Sequence, residues 1–157
     1  MLQAGERAPA VQLTDLQGKK IALPEMVRDS PALVAFFKIT CPVCQLTLPF
    51  LERIHRGQSK PGLAIYGISQ DDPTSTIEFN REFGLTFPSL LDREEDGYVA
   101  SNGFAISHVP SLFLVESDEI IFWALEGFSK RELQSLGGRA GVPTFSPADN
   151  VPEWKAG

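Results

Sequence analysis

The feature that most constrains this chain is an unbroken apolar run, Ala32-Leu33-Val34-Ala35-Phe36-Phe37, with Cys41-Pro42-Val43-Cys44 just beyond it. A short run rich in Val and Phe reads as a strand buried on both faces. After the cysteines, Leu46, Phe50, Leu51 and Ile54 recur at helical spacing, which predicts a helix from about Pro42 to Arg56. Pro42 suits the first helical turn, where a missing N–H costs nothing. Pro49 lies inside the helix and is expected to kink it. The two cysteines therefore fall at a strand–helix junction.

The remaining segments extend this pattern. Ala8 to Ile21 alternates loosely around Gln17-Gly18, which predicts a hairpin of two short strands, and Pro24 to Val27 reads as one helical turn. Leu63 to Ile68 is a second apolar strand. Asp72 or Thr74 then caps a helix over about Thr74 to Phe83, with Ile77 and Phe83 facing inward and Gly84 closing it. Phe87 to Leu91 and Glu94 to Ser101 read as an inserted strand and helix. Ser111 to Val115 and Ile120 to Leu125 read as a hairpin around Glu116 to Glu119. Ser129 caps a last helix with Leu133 and Leu136 inward. Phe122, Trp123 and Phe128 are read as strand and core packing. Strands alternating with helices imply a parallel component, and the late hairpin adds an antiparallel edge. The expected fold is α/β, a mixed central sheet flanked by helices on both faces. One domain is expected over residues 1–157, with an irregular tail over 141–157 that holds Trp154, and no repeat or linker divides it.

The chemistry follows from where the cysteines sit. At a helix N-terminus, unpaired backbone N–H groups and the positive end of the helix dipole favour a thiolate at Cys41. Cys44, one turn further in, is expected to be buried and protonated. Cys41 then attacks, or is attacked by, a partner sulfur, and Cys44 resolves the mixed disulfide. A bridge between residues three apart closes too small a loop to serve as a structural staple. Zinc needs about four ligands, and His55 and His108 are isolated in sequence, so no metal and no other cofactor is expected. His55, beside Arg53 and Arg56, reads as part of a solvated face.

A net charge of −6 with scattered basic residues argues against nucleic acid or an anionic membrane as the partner. No run reaches the ~20 apolar residues of a membrane span. The polar start, Met1 to Pro9, lacks a secretory apolar core, so the sequence as given reads as cytoplasmic, and as extracytoplasmic if a signal or anchor was removed.

The sequence resembles the thioredoxin superfamily, in particular the TlpA/ResA-like thiol–disulfide oxidoreductases related to the AhpC/TSA group. The resemblance runs from about Gly5 to Leu136. It is carried by Phe36 to Cys44, by Pro49, by Ile65 to Asp72 with Leu85 to Asp92, and by Val109-Pro110-Ser111-Leu112-Phe113-Leu114-Val115. It implies a thioredoxin-like fold with an N-terminal β-hairpin and an inserted βα element. It also implies a cis Pro110 facing the cysteines, and substrate contacts from Val109, Pro110, Thr40, Pro42 and Val43. The backbone of Val109 would pair with an extended partner segment. The implied partners are protein thiols or disulfides and a redox donor protein. A monomer is expected.

Three departures narrow the resemblance. Thr40 stands where many members carry tryptophan, and Ala35 where thioredoxins carry a buried aspartate. Gln70 stands where ResA-like members carry a glutamate, so the usual proton acceptor is missing or moved. Lys38 at the strand end reads as snorkelling to solvent. Two other functions compete. One is a peroxiredoxin-like thiol peroxidase, but its P-x-x-x-T-x-x-C pattern is absent: Val34 holds the proline position and Thr40 is adjacent to the cysteine. The other is a thioredoxin-like binding module without redox activity.

Overall fold

The computed structural model describes residues 1–59 and 62–157. Strand β3 (Ala32–Phe37) is buried throughout and lies inside a seven-stranded sheet. The others are β1 (Gln12–Asp15), β2 (Lys20–Ala22), β4 (Ala64–Ser69), β5 (Ser89–Leu91), β6 (Ser111–Val115) and β7 (Ile121–Glu126). Their spatial order is β2-β1-β5-β4-β3-β6-β7. Strands β3, β4 and β5 run parallel, and the pairs β1–β2, β1–β5, β3–β6 and β6–β7 are antiparallel. The sheet is thus mixed, with the N-terminal hairpin on one edge and the late hairpin on the other.

The period-two alternation of β3 divides the core between the two faces of the sheet. Leu33, Ala35 and Phe37 join the cluster under helix α2 (Pro42–Gly57), with Cys44, Leu48, Leu51 and Ile54. Ala32, Val34 and Phe36 join the opposite cluster with Leu23, Met26, Phe104 and Phe113. Phe36 meets Phe104 edge-on at 5.2 Å and Phe37 stacks on Phe79 at 5.4 Å. Helix α2 carries Pro49 within it and continues to Gly57. The remaining helices are α1 (Leu23–Met26), α3 (Pro73–Phe83), α4 (Val99–Gly103) and α5 (Lys130–Arg139).

Several expectations need correction. Ile77 is exposed rather than inward, because the buried stripe of α3 runs through Thr76 and Phe79, one position round. Phe83 is half-buried against the core, as expected, and of the two candidate caps Asp72 caps α3, accepting from the Ser75 N–H at 2.8 Å. Glu94 to Ser101 is not one helix. A 3₁₀ turn over Glu94–Asp96 ends at Gly97 and Tyr98, both at positive φ, before α4 begins. Phe122 is exposed on the edge strand rather than packed in the core, whereas Trp123 is half-buried and donates Nε1–H to Glu132 at 2.7 Å. His55 is half-buried and packs edge-on against Phe87, so its face is only partly solvated.

The tail is more ordered than its composition suggests. Trp154–Lys155 forms β9, antiparallel to β8 (Phe128–Ser129). Val142 and Thr144 are buried, and Phe145 lies between Phe50 and Phe128 at 4.6 and 6.2 Å. Arg53 holds Asp149 through two hydrogen bonds of 2.6 and 2.9 Å.

Candidate functional site

Cys41 is the N-cap residue of α2, in extended backbone conformation, and its sulfur accepts the Cys44 N–H at 3.1 Å. The side chain thus satisfies one of the orphan donors at the helix start. The approach to this cap is pinned from several directions. The Cys41 N–H donates to the Lys38 carbonyl at 3.2 Å, and the Ile39 N–H donates to Asp71 Oδ2 at 2.9 Å. Gln45 Nε2 closes the turn on the Ile39 carbonyl, also at 2.9 Å.

The two sulfurs live in different surroundings. Both are free thiols; Cys41 is half-buried and Cys44 fully buried. Burial pushes the Cys44 thiol far above its ordinary range, and its hydrogen bond with Cys41 and the nearby negative charge of Asp71 add to the rise. Cys44 therefore stays protonated while it is sealed in the core.

The Val109–Pro110 bond is cis, and the Val109 carbonyl lies 3.5 Å from Cys41 Sγ. Neighbouring bonds hold this loop: Ser111 Oγ donates to the His108 carbonyl at 2.7 Å and the Gly127 N–H to the Pro110 carbonyl at 2.8 Å. A cleft of about 350 Å³ opens there, lined by Lys38, Cys41, Gln70, His108, Val109 and Gly157 among others. Thr40 and Pro42 are exposed and Val43 half-buried beside the motif, whereas Pro110 is itself buried.

The departures have structural counterparts. Ala35 is fully buried and offers no proton acceptor. Gln70 is held by a polar chain: its Nε2 donates to Ser101 Oγ at 2.8 Å, and that hydroxyl donates to Asp92 at 2.5 Å. Asp92 is fully buried and also accepts the N–H groups of Ala100 and Ser101, at 2.9 and 2.7 Å. Since the Ser101 hydrogen is committed to Asp92, Gln70 must present its amide N–H₂ to Ser101. Lys38 is exposed on the rim, as its reading as a snorkelling side chain expects.

Sequence reasoning missed Ile106, Ser107, His108 and Gly157 in the cleft. His108, read as isolated, lines it, with Nδ1 2.8 Å from Glu126 and 3.0 Å from Ser107 Oγ. Its place directly before Val109 was the available signal. Gly157 lies far along the chain from the cysteines, and no local pattern points to it. Among the described residues, no group of three or more His, Cys, Asp or Glu side chains is placed to hold a metal ion.

A cis-proline loop set against a half-buried N-cap cysteine, with a second cysteine sealed beneath it, defines a thioredoxin-fold protein with a dithiol site. The match to known proteins is more specific: residues 4–124 match the AhpC/TSA family, to which the chain belongs. The thiol-disulfide oxidoreductase ResA of Geobacillus thermodenitrificans is 26% identical over 129 residues, covering 82% of this chain and 72% of that protein. ResA of Halalkalibacterium halodurans is 28% identical over 123 residues, covering 77% and 68%. Among solved structures, the thioredoxin domain of a thiol-disulfide oxidoreductase from Bacteroides vulgatus superposes with a TM-score of 0.77 at 22% identity, covering 88% of this chain and 98% of that one. The peroxidoxin BcpB of Mycobacterium tuberculosis reaches 0.73 at 16% identity, covering 87% and 94%, which shows a shared fold. Among the described residues, no helix is long and apolar enough to cross a membrane.

Proposed function

We propose that this protein is a thiol–disulfide oxidoreductase in which Cys41 is the nucleophile and Cys44 the resolving thiol. The observation that carries the reading is the asymmetry of the pair. Cys41 Sγ receives the Cys44 N–H at 3.1 Å at the mouth of a cleft, while the Cys44 side chain is sealed in the core with its thiol held protonated.

In the reducing direction the Cys41 thiolate attacks one sulfur of a partner disulfide. The partner S–S bond breaks, its second sulfur leaves as a thiolate and takes a proton, and a mixed disulfide forms on Cys41. The Cys44 thiol then gives up its proton and attacks Cys41 Sγ. This releases the remaining partner sulfur and leaves a Cys41–Cys44 disulfide. Two electrons have passed from the cysteine pair to the partner, whose two sulfurs take up one proton from Cys44 and one from solvent, and the reverse sequence oxidises a dithiol. Val109 and buried Pro110 shape the wall of the cleft, and Thr40, Pro42 and Val43 form the surface over which a partner docks. The Val109 backbone pairs with an extended partner segment. A donor protein re-reduces the pair, and the chain works as a monomer. The compartment and the pair's reduction potential together set the direction of net flow.

The peroxidase reading is weaker. A peroxidatic thiolate needs a hydroxyl three residues earlier to hold it, and that position is Lys38, exposed at the rim. The deciding experiment is equilibration in glutathione redox buffers, followed by measuring the fraction of Cys41–Cys44 disulfide. The proposal expects one two-electron transition that disappears when either cysteine is replaced. A pair that never equilibrates, or fast peroxide turnover requiring Cys41, would overturn it.

A further inference from the structure

The tail reaches the site from the C-terminal end of α2, where Val142 packs on Gly57. After α5 it crosses α2, is held by the Arg53–Asp149 pair, and reaches β8 where the Lys130 N–H donates to the Glu153 carbonyl at 2.9 Å. Trp154 and Lys155 pair with Ser129 and Phe128. The chain then passes over Gly127, the residue bonded to the Pro110 carbonyl. A Cβ at Gly127 would lie 2.4 Å from the Lys155 carbonyl oxygen and 3.1 Å from the Gly157 nitrogen. Gly127 also has a φ of +81°, so glycine is required there on two grounds.

The segment finishes against Val109. A Cβ at Gly157 would lie 2.6 Å from the Val109 carbonyl oxygen, the same oxygen that stands 3.5 Å from Cys41 Sγ. Gly157 also lines the cleft over Cys41. The tail lies beyond residues 4–124, the part of the chain matched to the family, so this contact is not carried by that match.

We propose that the segment Glu153–Gly157 is a specificity-determining strap. It lies along Val109 where an extended partner segment would pair, and so favours disulfides that lack a peptide backbone until it is displaced. The inference rests on the thiol–disulfide exchange reading. Its physical basis is competition for one stretch of backbone: while the strap is down, Gly157 occupies the space beside the Val109 carbonyl that an extended chain would need. A compact disulfide needs only the Cys41 sulfur. Among the described residues the hold on the strap is a two-residue ladder, the Glu153 carbonyl bond and a Lys130–Glu153 ion pair at 3.9 Å, all between the strap and residues 128–130, so opening requires no wider unfolding.

The test compares two substrates with one leaving group: hydroxyethyl disulfide, and a linear peptide whose single cysteine carries mercaptoethanol in disulfide linkage. Reduced protein is mixed with each, and the ratio of the peptide rate to the small-disulfide rate is taken. Two variants are used, deletion of residues 153–157 and Gly157→Val, whose side chain would collide with the Val109 carbonyl. The ratio is expected to rise in both by about tenfold, as when the open form is about a tenth of the population. A second readout follows the Lys130 amide by hydrogen exchange in Cys44→Ser protein trapped with the peptide, where the strap should be displaced and protection lost. An unchanged or lower ratio in either variant, or retained protection, overturns the strap. Failure of wild-type protein to react with either substrate overturns the exchange reading instead.

Discussion

Glu52 offers a quantitative test of how α2 is fixed in place behind its cysteines. It lies about two turns beyond Cys44 and is 6% exposed. Its carboxylate accepts the Thr86 N–H at 2.7 Å, the Thr86 hydroxyl at 2.6 Å, the Phe87 N–H at 3.3 Å and Arg56 Nε at 2.5 Å. Replacing Glu52 with Ala removes all four. Hydrogen bonds to a charged group are worth ~1.5–3 kcal/mol each, but the loss will not be their sum. Thr86 and Arg56 are exposed and regain water, while the Phe87 amide sits in a buried segment. A destabilisation of ~2–3 kcal/mol is therefore expected at neutral pH, and about half that for Glu52→Gln, which keeps an acceptor oxygen. The pH dependence supplies the sign. Burial alone would raise the Glu52 pKa, but the bonds from Thr86, Arg56 and Phe87 outweigh it and hold it below the ordinary value. Its contribution is then fully present above the ordinary carboxylate range and is lost as pH falls through the folded-state value. Urea unfolding of wild type and both variants across acid to neutral pH, with matched m-values, measures this. A difference below about 0.5 kcal/mol at neutral pH, the scatter of ordinary surface changes, would refute the reasoning, as would a difference that grows toward acid.

Other positions carry predictions of the same kind. A Cβ at Gly67 would lie 3.0 Å from both the Phe37 and Phe87 rings, so Gly67→Ala should destabilise by ~1–3 kcal/mol through overpacking, read by thermal or urea unfolding. Asp92→Ala leaves the Ala100 and Ser101 amides and the Gln70–Ser101 chain without their acceptor; a cost of ~2–4 kcal/mol is expected, and a neutral result would show that water replaces the carboxylate. Arg53 holds the Asp149 carboxyl well below the usual carboxylate range, with help from the Ser146 N–H. In Arg53→Ala the Asp149 titration, followed by NMR, should move up toward ~3.9. An unmoved titration would show that the ion pair does not form in solution.

The parts legible in the sequence were those written in neighbouring residues. The apolar run of β3, the helical spacing after Cys44, the Gly84 and Ser129 caps and the Val109-Pro110 segment each carry a local pattern that survives folding. Periodicity failed where a helix is short and half-exposed: in α3 the buried stripe includes Thr76, whose hydroxyl is satisfied by Ser69 at 2.7 Å, so polarity misdirected the choice of face. The break at Tyr98 depends on a positive φ that side-chain type does not announce, although Gly97 beside it was a hint. Phe122 was misplaced because it is the extra residue of a bulge: Trp123 pairs with Leu114 and Ile121 with Val115, which leaves Phe122 without a cross-strand partner. The polar clamps at Glu52 and Asp92 and the contact of Gly157 with Val109 join distant parts of the chain, and no local reading reaches them.

The central claim is that the two cysteines have unequal jobs, and mixed-disulfide trapping tests it most directly. Cys44→Ser and Cys41→Ser proteins are each reduced, mixed with a disulfide-bearing peptide at neutral pH, quenched with acid and weighed by mass spectrometry. The account predicts a persistent peptide adduct on Cys41 in Cys44→Ser protein and essentially none on the buried, protonated Cys44 in Cys41→Ser protein. Equal adducts in the two variants, or a faster adduct on Cys44, would contradict it.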